Sequence, residues 1–169
     1  MTMQRSRALG FTFIELVVTL AMVSVVAMSV LPLYEVVTTR MKESELRAAL
    51  RALRGALDAY KAAADQGQIP KEAGQSGYPP SLEILVQGVD VGVSNAVTLS
   101  GKEAPKRLVF LRQVPRDPFA TDVSVPPAQT WRLRAYGSSP DNPQSGDDVF
   151  DVYALSTEAG INGVPYNEW

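Results

Sequence analysis

The sequence predicts an α+β fold, in which one long N-terminal helix packs on a small antiparallel sheet domain. An apolar run from Phe11 to Leu33 is followed by a helical repeat of leucines, and together they predict one helix in two parts, residues 11–33 and 34–66. All but one of the 12 prolines then lie in residues 67–169, where turn residues separate short apolar runs. A helical part followed by a strand-rich part is typical of the α+β class.

The first part of the helix is apolar enough to cross a membrane. Its 23 residues, Phe11 to Leu33, contain Glu15 as their only charged side chain. A bilayer core requires about 20 apolar residues in a helix. A charge inside such a segment costs about 2.5–3.5 kcal/mol on insertion scales, so it usually has a functional partner. We therefore expect Glu15 to pair with a cation; the alternative is that hydration and the dipole of the helix N-terminus ease its charge.

The second part of the helix is amphipathic. Apolar side chains recur at spacings of four, three, four and three, and they predict one buried face, formed by Leu46, Leu50, Leu53, Leu57 and Tyr60. Charged residues, Glu43, Arg47 and Arg54 among them, occupy other positions. This half of the helix is therefore expected to pack on the rest of the chain.

Pro32 lies where the two parts of the helix meet. A proline inside a helix removes a backbone hydrogen bond and clashes with the preceding turn. We therefore expect a kink or a melted stretch from Met28 to Pro32.

Three runs after the helix predict strands, at Arg107–Val114, Trp131–Tyr136 and Val149–Leu155. Ser81–Val86 is predicted to be a short helix with Ser81 as its N-cap. Asp117, which precedes a proline, is expected to organise a turn through its carboxylate.

The composition excludes the kinds of catalysis that depend on histidine or cysteine. The chain has neither cysteine nor histidine, which removes Ser-His-Asp and Cys-His catalysis and most zinc sites. Its 16 basic and 18 acidic residues give no basic footprint for nucleic acid. We therefore expect a protein that is not an enzyme and does not bind nucleic acid.

A short basic leader precedes the apolar run. Arg5 and Arg7 are its only charges, and Gly10 ends it. The sequence Gly-Phe-Thr-Phe-Ile-Glu-Leu, residues 10–16, resembles the prepilin signal of the type IV pilins and the type II secretion pseudopilins. The excess of arginine before the apolar run predicts that the leader faces the cytoplasm and that the bulk of the chain lies outside the inner membrane.

This resemblance implies how the chain is processed and used. Residues 1–10 would be a leader, removed by a prepilin peptidase that cuts between Gly10 and Phe11 and methylates the new N-terminus on Phe11. Glu15 would then be the fifth residue of the mature chain, where the family pairs a glutamate with the N-terminal amine of a neighbouring subunit. Pro32 occupies a position where the family often has proline. The implied partners are further copies of the chain, other pseudopilins and an inner-membrane assembly platform.

Later segments are similar to the major pseudopilin of type II secretion systems. They are Gly77–Pro80 with the leucines that follow, Val114–Phe119, and Phe150–Ser156. Residues 89–105 match nothing in that pattern and are interpreted as an insertion.

The tail, residues 157–169, departs from this pattern. The major pseudopilin has an aspartate- and glycine-rich loop there that holds a calcium ion, which requires six to eight oxygen ligands. This tail has no adjacent aspartates. The acidic residues that remain as calcium ligands are Asp141, Asp147, Asp148 and Glu158, and the sequence leaves calcium binding open.

The function predicted from these observations is that of a structural subunit of a type II secretion pseudopilus, anchored once in the inner membrane with its sheet domain in the periplasm. Three alternatives stay open. They are a minor pseudopilin at the filament tip, a type IV pilin and, from another class, a single-span membrane protein with a ligand-binding periplasmic domain.

Overall fold

The structure is a computed structural model that describes residues 10–72, 74–97 and 103–169; the side chains of residues 29–32, 92–97 and 103–105 are not described. The leader residues Arg5 and Arg7 therefore lie outside the described residues. The chain divides into two compact units, Met1–Arg40 and Met41–Trp169.

The long helix α1 spans Phe13–Asp65 and is confirmed as the dominant element. Helical backbone runs without interruption through Pro32, so the expected melted stretch is not found. Two hydroxyl side chains in the first unit donate hydrogen bonds to backbone carbonyls of their own helix. The hydroxyls of Thr19 and Ser24 donate to the carbonyls of Leu16 and Leu20, at 3.0 and 2.8 Å. Such bonds leave no hydroxyl donor of these residues in need of water.

In the second unit, the predicted apolar face of α1 forms the core. Leu46, Leu53 and Leu57 are at most 1% exposed, and Leu50 and Tyr60 are buried as well. They share one cluster with side chains from the elements that follow, namely Leu82, Leu85, Trp131, Val149, Val152, Ala154 and Tyr166. The leucine spacing thus predicted the buried face correctly.

The predicted sheet domain is made of two separate antiparallel hairpins, which together with α1 confirm the α+β class. Strands β1 (Val89–Val97) and β2 (Glu103–Leu108) pair in one, and β3 (Trp131–Arg134) and β4 (Asp151–Ala154) in the other. β3 and β4 pair in register, with Trp131 opposite Ala154. These two strands confirm the predicted runs at 131–136 and 149–155, and both supply residues to the core.

The predicted strand at Arg107–Val114 is wrong beyond Leu108, where β2 ends. The amides of Phe110 and Leu111 instead donate to the carbonyl of Leu85, at 3.0 and 2.9 Å. A neighbouring helix therefore takes the donors that a strand ladder would use. Residues 89–105, interpreted as an insertion, contain β1 and the start of β2; within this range, residues 98–102 lie outside the described part.

The short helix α2 spans Leu82–Gln87, close to the prediction, but Ser81 makes no side-chain capping bond. Two 3₁₀ turns, Pro127–Thr130 and Tyr166–Glu168, complete the second unit. Asp117 is buried and organises a turn as predicted, because its Oδ1 accepts the amide of Phe119 at 2.8 Å.

We predict that Leu53→Ala lowers the free energy of unfolding by about 2–5 kcal/mol, because Leu53 is fully buried and its loss leaves a cavity. Urea unfolding of the full chain in detergent micelles, followed by tryptophan fluorescence, measures this. Arg51→Ala on the exposed face of the same helix is the control, and it should change stability little. An equal effect of the two substitutions would contradict the assignment of the core.

Candidate processing and assembly site

The predicted cleavage site lies just ahead of the helix. Gly10, Phe11 and Thr12 precede α1 and have no regular secondary structure, and Phe11 is 82% exposed. A Cβ added at Gly10 would meet no atom within 4 Å. Nothing in the described part of the chain therefore requires a glycine at this position, so any requirement for one would come from a protein that binds here.

Glu15 and Thr12 form a reciprocal capping box at the start of α1. The amide of Thr12 donates to Glu15 Oε2 at 3.4 Å, and the amide of Glu15 donates to Thr12 Oγ1 at 3.3 Å. The first turn closes with the amide of Leu16 on the carbonyl of Thr12 at 3.2 Å. This pattern, Thr-x-x-Glu, satisfies two amides that have no partner inside the helix.

The capping box was missed by the sequence reasoning, although its signature is legible in the sequence. We expected a cation beside Glu15 and named the helix N-terminus as the alternative. Among the described residues, the Glu15 carboxylate accepts one hydrogen bond from the start of the helix, and the cation partner stays a prediction. A carboxylate has two oxygens and about four acceptor positions, so one long hydrogen bond leaves most of its capacity free for a cation.

The capping geometry also turns the Glu15 carboxylate toward the start of the chain. Its oxygen contacts the amide of Thr12, which is one residue beyond Phe11. A cut between Gly10 and Phe11 would create a cationic amine on Phe11, next to this contact. Both that amine and the amine of a neighbouring copy therefore remain open as partners of Glu15.

The large apolar side chains between Glu15 and residue 29 are exposed, and they are Leu16, Val17, Val18, Leu20, Met22, Val23, Val25, Val26 and Met28. One helix among the described residues, α1, is long and apolar enough to cross a membrane, and its apolar part lies near the N-terminus. Exposed apolar surface of this extent marks a contact with a membrane or with another protein. Pro32 lies in the same helix, and its role in assembly stays a prediction.

The calcium candidates do not form a metal site among the described residues, where no group of three or more acidic side chains could hold an ion. Asp148 is used internally, since its Oδ1 accepts the amide of Tyr136 at 2.8 Å and its Oδ2 accepts the hydroxyl of Ser76. Asp141, Asp147 and Glu158 are exposed. Calcium requires six to eight converging oxygens, so this set does not fit the ion.

Comparison with known proteins finds a relative whose name states the system to which it belongs. The chain is 28% identical to type II secretion system core protein G of Klebsiella pneumoniae over 149 residues, which cover 87% of this chain and 94% of the relative. The name of that protein agrees with the resemblance to the type II secretion pseudopilins that the sequence shows. No protein-family model matches the chain. No solved structure matches it either.

We predict that Thr12→Val frays the first turn of α1, because valine cannot accept the amide of Glu15. Loss of an N-cap costs about 1 kcal/mol, which corresponds to about five-fold faster hydrogen exchange of the Glu15 amide. Nuclear magnetic resonance of the full chain in micelles measures this rate. Thr12→Ser keeps the hydroxyl and serves as the control. An exchange rate that is the same in all three proteins would show that the capping box does not form.

Proposed function

We propose that this chain is a pseudopilin of a type II secretion system, a structural subunit that is processed, held in the inner membrane and then added to a helical filament that supports protein export. The observation that carries the proposal is the near full-length match to core protein G, whose name places it in that system. The exposed apolar start of α1 agrees with it, since a subunit of this kind exchanges lipid for contacts with its neighbours.

Processing is the first step of the proposed function. A prepilin peptidase would cut between Gly10 and Phe11 and methylate the new amine. The structure supports access to this bond, because residues 10–12 lie outside the helix and Phe11 is exposed. A peptidase must bind an extended strand of backbone around the bond that it cuts, and a helical segment could not supply one.

Storage in the membrane is the second step. The segment 11–33 would span the inner membrane, and the unit Met41–Trp169 would lie in the periplasm. The polar side chains of Thr19 and Ser24 are compatible with lipid, because both donate to carbonyls of their own helix. Glu15 lies near one end of the segment, where water and headgroups reach a charge more easily than at the centre.

Assembly is the third step, and Glu15 is central to it. In a filament core, the carboxylate would leave the aqueous edge of the bilayer and enter a low-dielectric contact between helices. A charge in that setting is stable only when it is paired and hydrogen-bonded. The methylated amine on Phe11 of a neighbouring copy would supply the pairing, and the requirement to pair would set the axial position of each new subunit.

We predict that Glu15→Gln and Glu15→Val insert and are cleaved normally but enter filaments at least about ten-fold less often, since an unpaired charge partner costs several kcal/mol. The two variants separate charge from capping, because glutamine keeps the acceptor for the Thr12 amide and valine does not. Sheared filaments, quantified against total membrane-bound protein, measure the effect.

Glu35→Gln is the matched control, because Glu35 is an acidic residue of the same helix that lies beyond the apolar segment. It should assemble like the natural chain. Normal filament formation by Glu15→Gln would remove the pairing mechanism, whereas failure of Glu15→Val alone would assign the role of Glu15 to the capping box.

We also predict that Gly10→Leu leaves uncleaved precursor in the membrane, because a bulky residue beside the cut blocks the peptidase. Intact-mass measurement of the membrane-bound protein distinguishes precursor from product. Ala8→Leu adds the same bulk two residues earlier and should still be processed. Efficient cleavage of Gly10→Leu would count against the assignment of residues 1–10 as a prepilin leader.

A further inference from the structure

The tail, residues 157–169, is attached to α1 by a buried carboxylate. Glu43 is 5% exposed, although the sequence pattern did not distinguish it from the other charged residues of the helix. Its Oε1 accepts the amide of Ile161 at 2.6 Å and the hydroxyl of Tyr166 at 3.2 Å. Arg47, one turn further along the helix, brings Nη2 to 3.7 Å from Oε2. The buried charge is thus met by two donors from the tail and one cation.

The backbone of the tail approaches this carboxylate so closely that a side chain would not fit. Gly160 is buried, and a Cβ built there would lie 2.8 Å from Trp169 Cζ2 and 2.9 Å from Glu43 Oε1. Both distances are shorter than Cβ contacts in proteins. Glycine at this position is therefore a packing requirement of the contact between Glu43 and the tail.

Arginines on the same side of the helix hold the end of the tail. Arg54 donates through Nη2 to the backbone oxygen of Trp169 at 2.8 Å and to that of Val152 at 3.2 Å. Its Nε donates to Asp151 Oδ1 at 2.8 Å, which fixes the guanidinium in place. The guanidinium of Arg47 stacks on the indole of Trp169, with 4.3 Å between its Cζ and the ring centroid.

Aromatic packing closes the contact from the other side. The ring of Tyr166 stacks on that of Phe119, with centroids 4.0 Å apart, and meets the indole of Trp169 edge-on at 5.1 Å. Burial, and then the charge of Glu43, raises the pKa of Tyr166 above its usual range. The phenol therefore keeps its proton and remains a donor to the carboxylate.

We propose that Glu43 and Arg54 fix the tail to the helix directly and replace the calcium ion that the family resemblance implies at this end of the chain. The donor set supports this substitution. A calcium site would gather carboxylates around a cation. Here the tail supplies the amide of Ile161, a tyrosine hydroxyl and the backbone oxygen of Trp169, and the helix supplies the matching carboxylate and guanidinium. Charge-assisted hydrogen bonds of this kind are about twice as strong as neutral ones.

The test measures hydrogen exchange in the full chain in detergent micelles, so it does not depend on filament formation or on the proposed function. Calcium chloride and a chelator are compared first, and the proposal expects the same melting temperature and the same exchange of the Ile161 amide in both. Glu43→Ala should then speed exchange of that amide by about ten- to a hundred-fold, because a charged acceptor is lost. The amides that pair β3 with β4 should be affected much less.

Glu45→Ala is the matched control, since Glu45 is an exposed acidic residue two positions along the same helix. It should leave the tail unchanged. If Glu43→Ala does not fold, Glu43→Gln provides the same measurement, because glutamine keeps an acceptor and should speed exchange by only about five-fold. Arg54→Ala is expected to release Trp169, seen as a change in its indole resonance.

Two results would overturn the proposal. One is a melting temperature that rises by several degrees in calcium relative to chelator, together with slower exchange of the Ile161 amide. The other is unchanged exchange of that amide in Glu43→Ala or Glu43→Gln. The first result would show that a bound cation holds the tail, and the second would show that Glu43 does not hold the tail.

Discussion

The apolar surface of α1 has to be removed from water, and most of the structure follows from the two ways in which this happens. In the second unit, the leucines from Leu46 to Leu57 are buried within the chain, against both α2 and the hairpin of β3 and β4. In the first unit, the apolar side chains from Leu16 to Met28 are exposed. A membrane or a partner that covered them would remove this apolar surface from water, which is the main favourable term in folding and assembly.

The polar groups of the first unit are arranged to allow that burial. Thr19 and Ser24 donate to their own helix, and Thr12 and Glu15 satisfy one another's amides. Within the apolar run, Glu15 is the charged residue, and its carboxylate keeps unused acceptor capacity. Lipid can surround the hydroxyls at little cost, whereas the carboxylate gains from a cation. Under the proposed function, Glu15 would therefore be the residue that distinguishes storage in the membrane from a contact with another subunit.

The second unit achieves its stability differently, because its polar contacts are internal and specific. Glu43 and Arg54 reach from the helix to a tail more than a hundred positions away in the chain, and Asp117 and Asp148 organise turns. Glu43, Asp117 and Asp148 accept hydrogen bonds from nearby donors, and Arg54 donates to nearby oxygens, as buried or half-buried charges require. The tail is thereby joined to the same helix that carries the core.

The elements that sequence predicted best are those whose pattern is local. The helical spacing of the leucines alone identified the buried face. Short apolar runs bounded by turn residues identified β3 and β4. The errors occurred where a distant partner decides the structure: Phe110 and Leu111 donate to Leu85 rather than to a strand. Glu43 shows the same limit, because nothing in the residues around it reveals that the tail will bury it. The capping box of Thr12 and Glu15 was an avoidable omission, since its signature is local.

Counting the copies of this chain in purified filaments tests the proposal that it is a filament subunit of a secretion system. The chain would be produced with its assembly machinery, and the filaments would be sheared, purified and quantified by mass spectrometry with isotope-labelled peptides. We expect this chain to outnumber every other pseudopilin in the filament many-fold. One or a few copies per filament would assign it to the tip, and absence from purified filaments would contradict the claim.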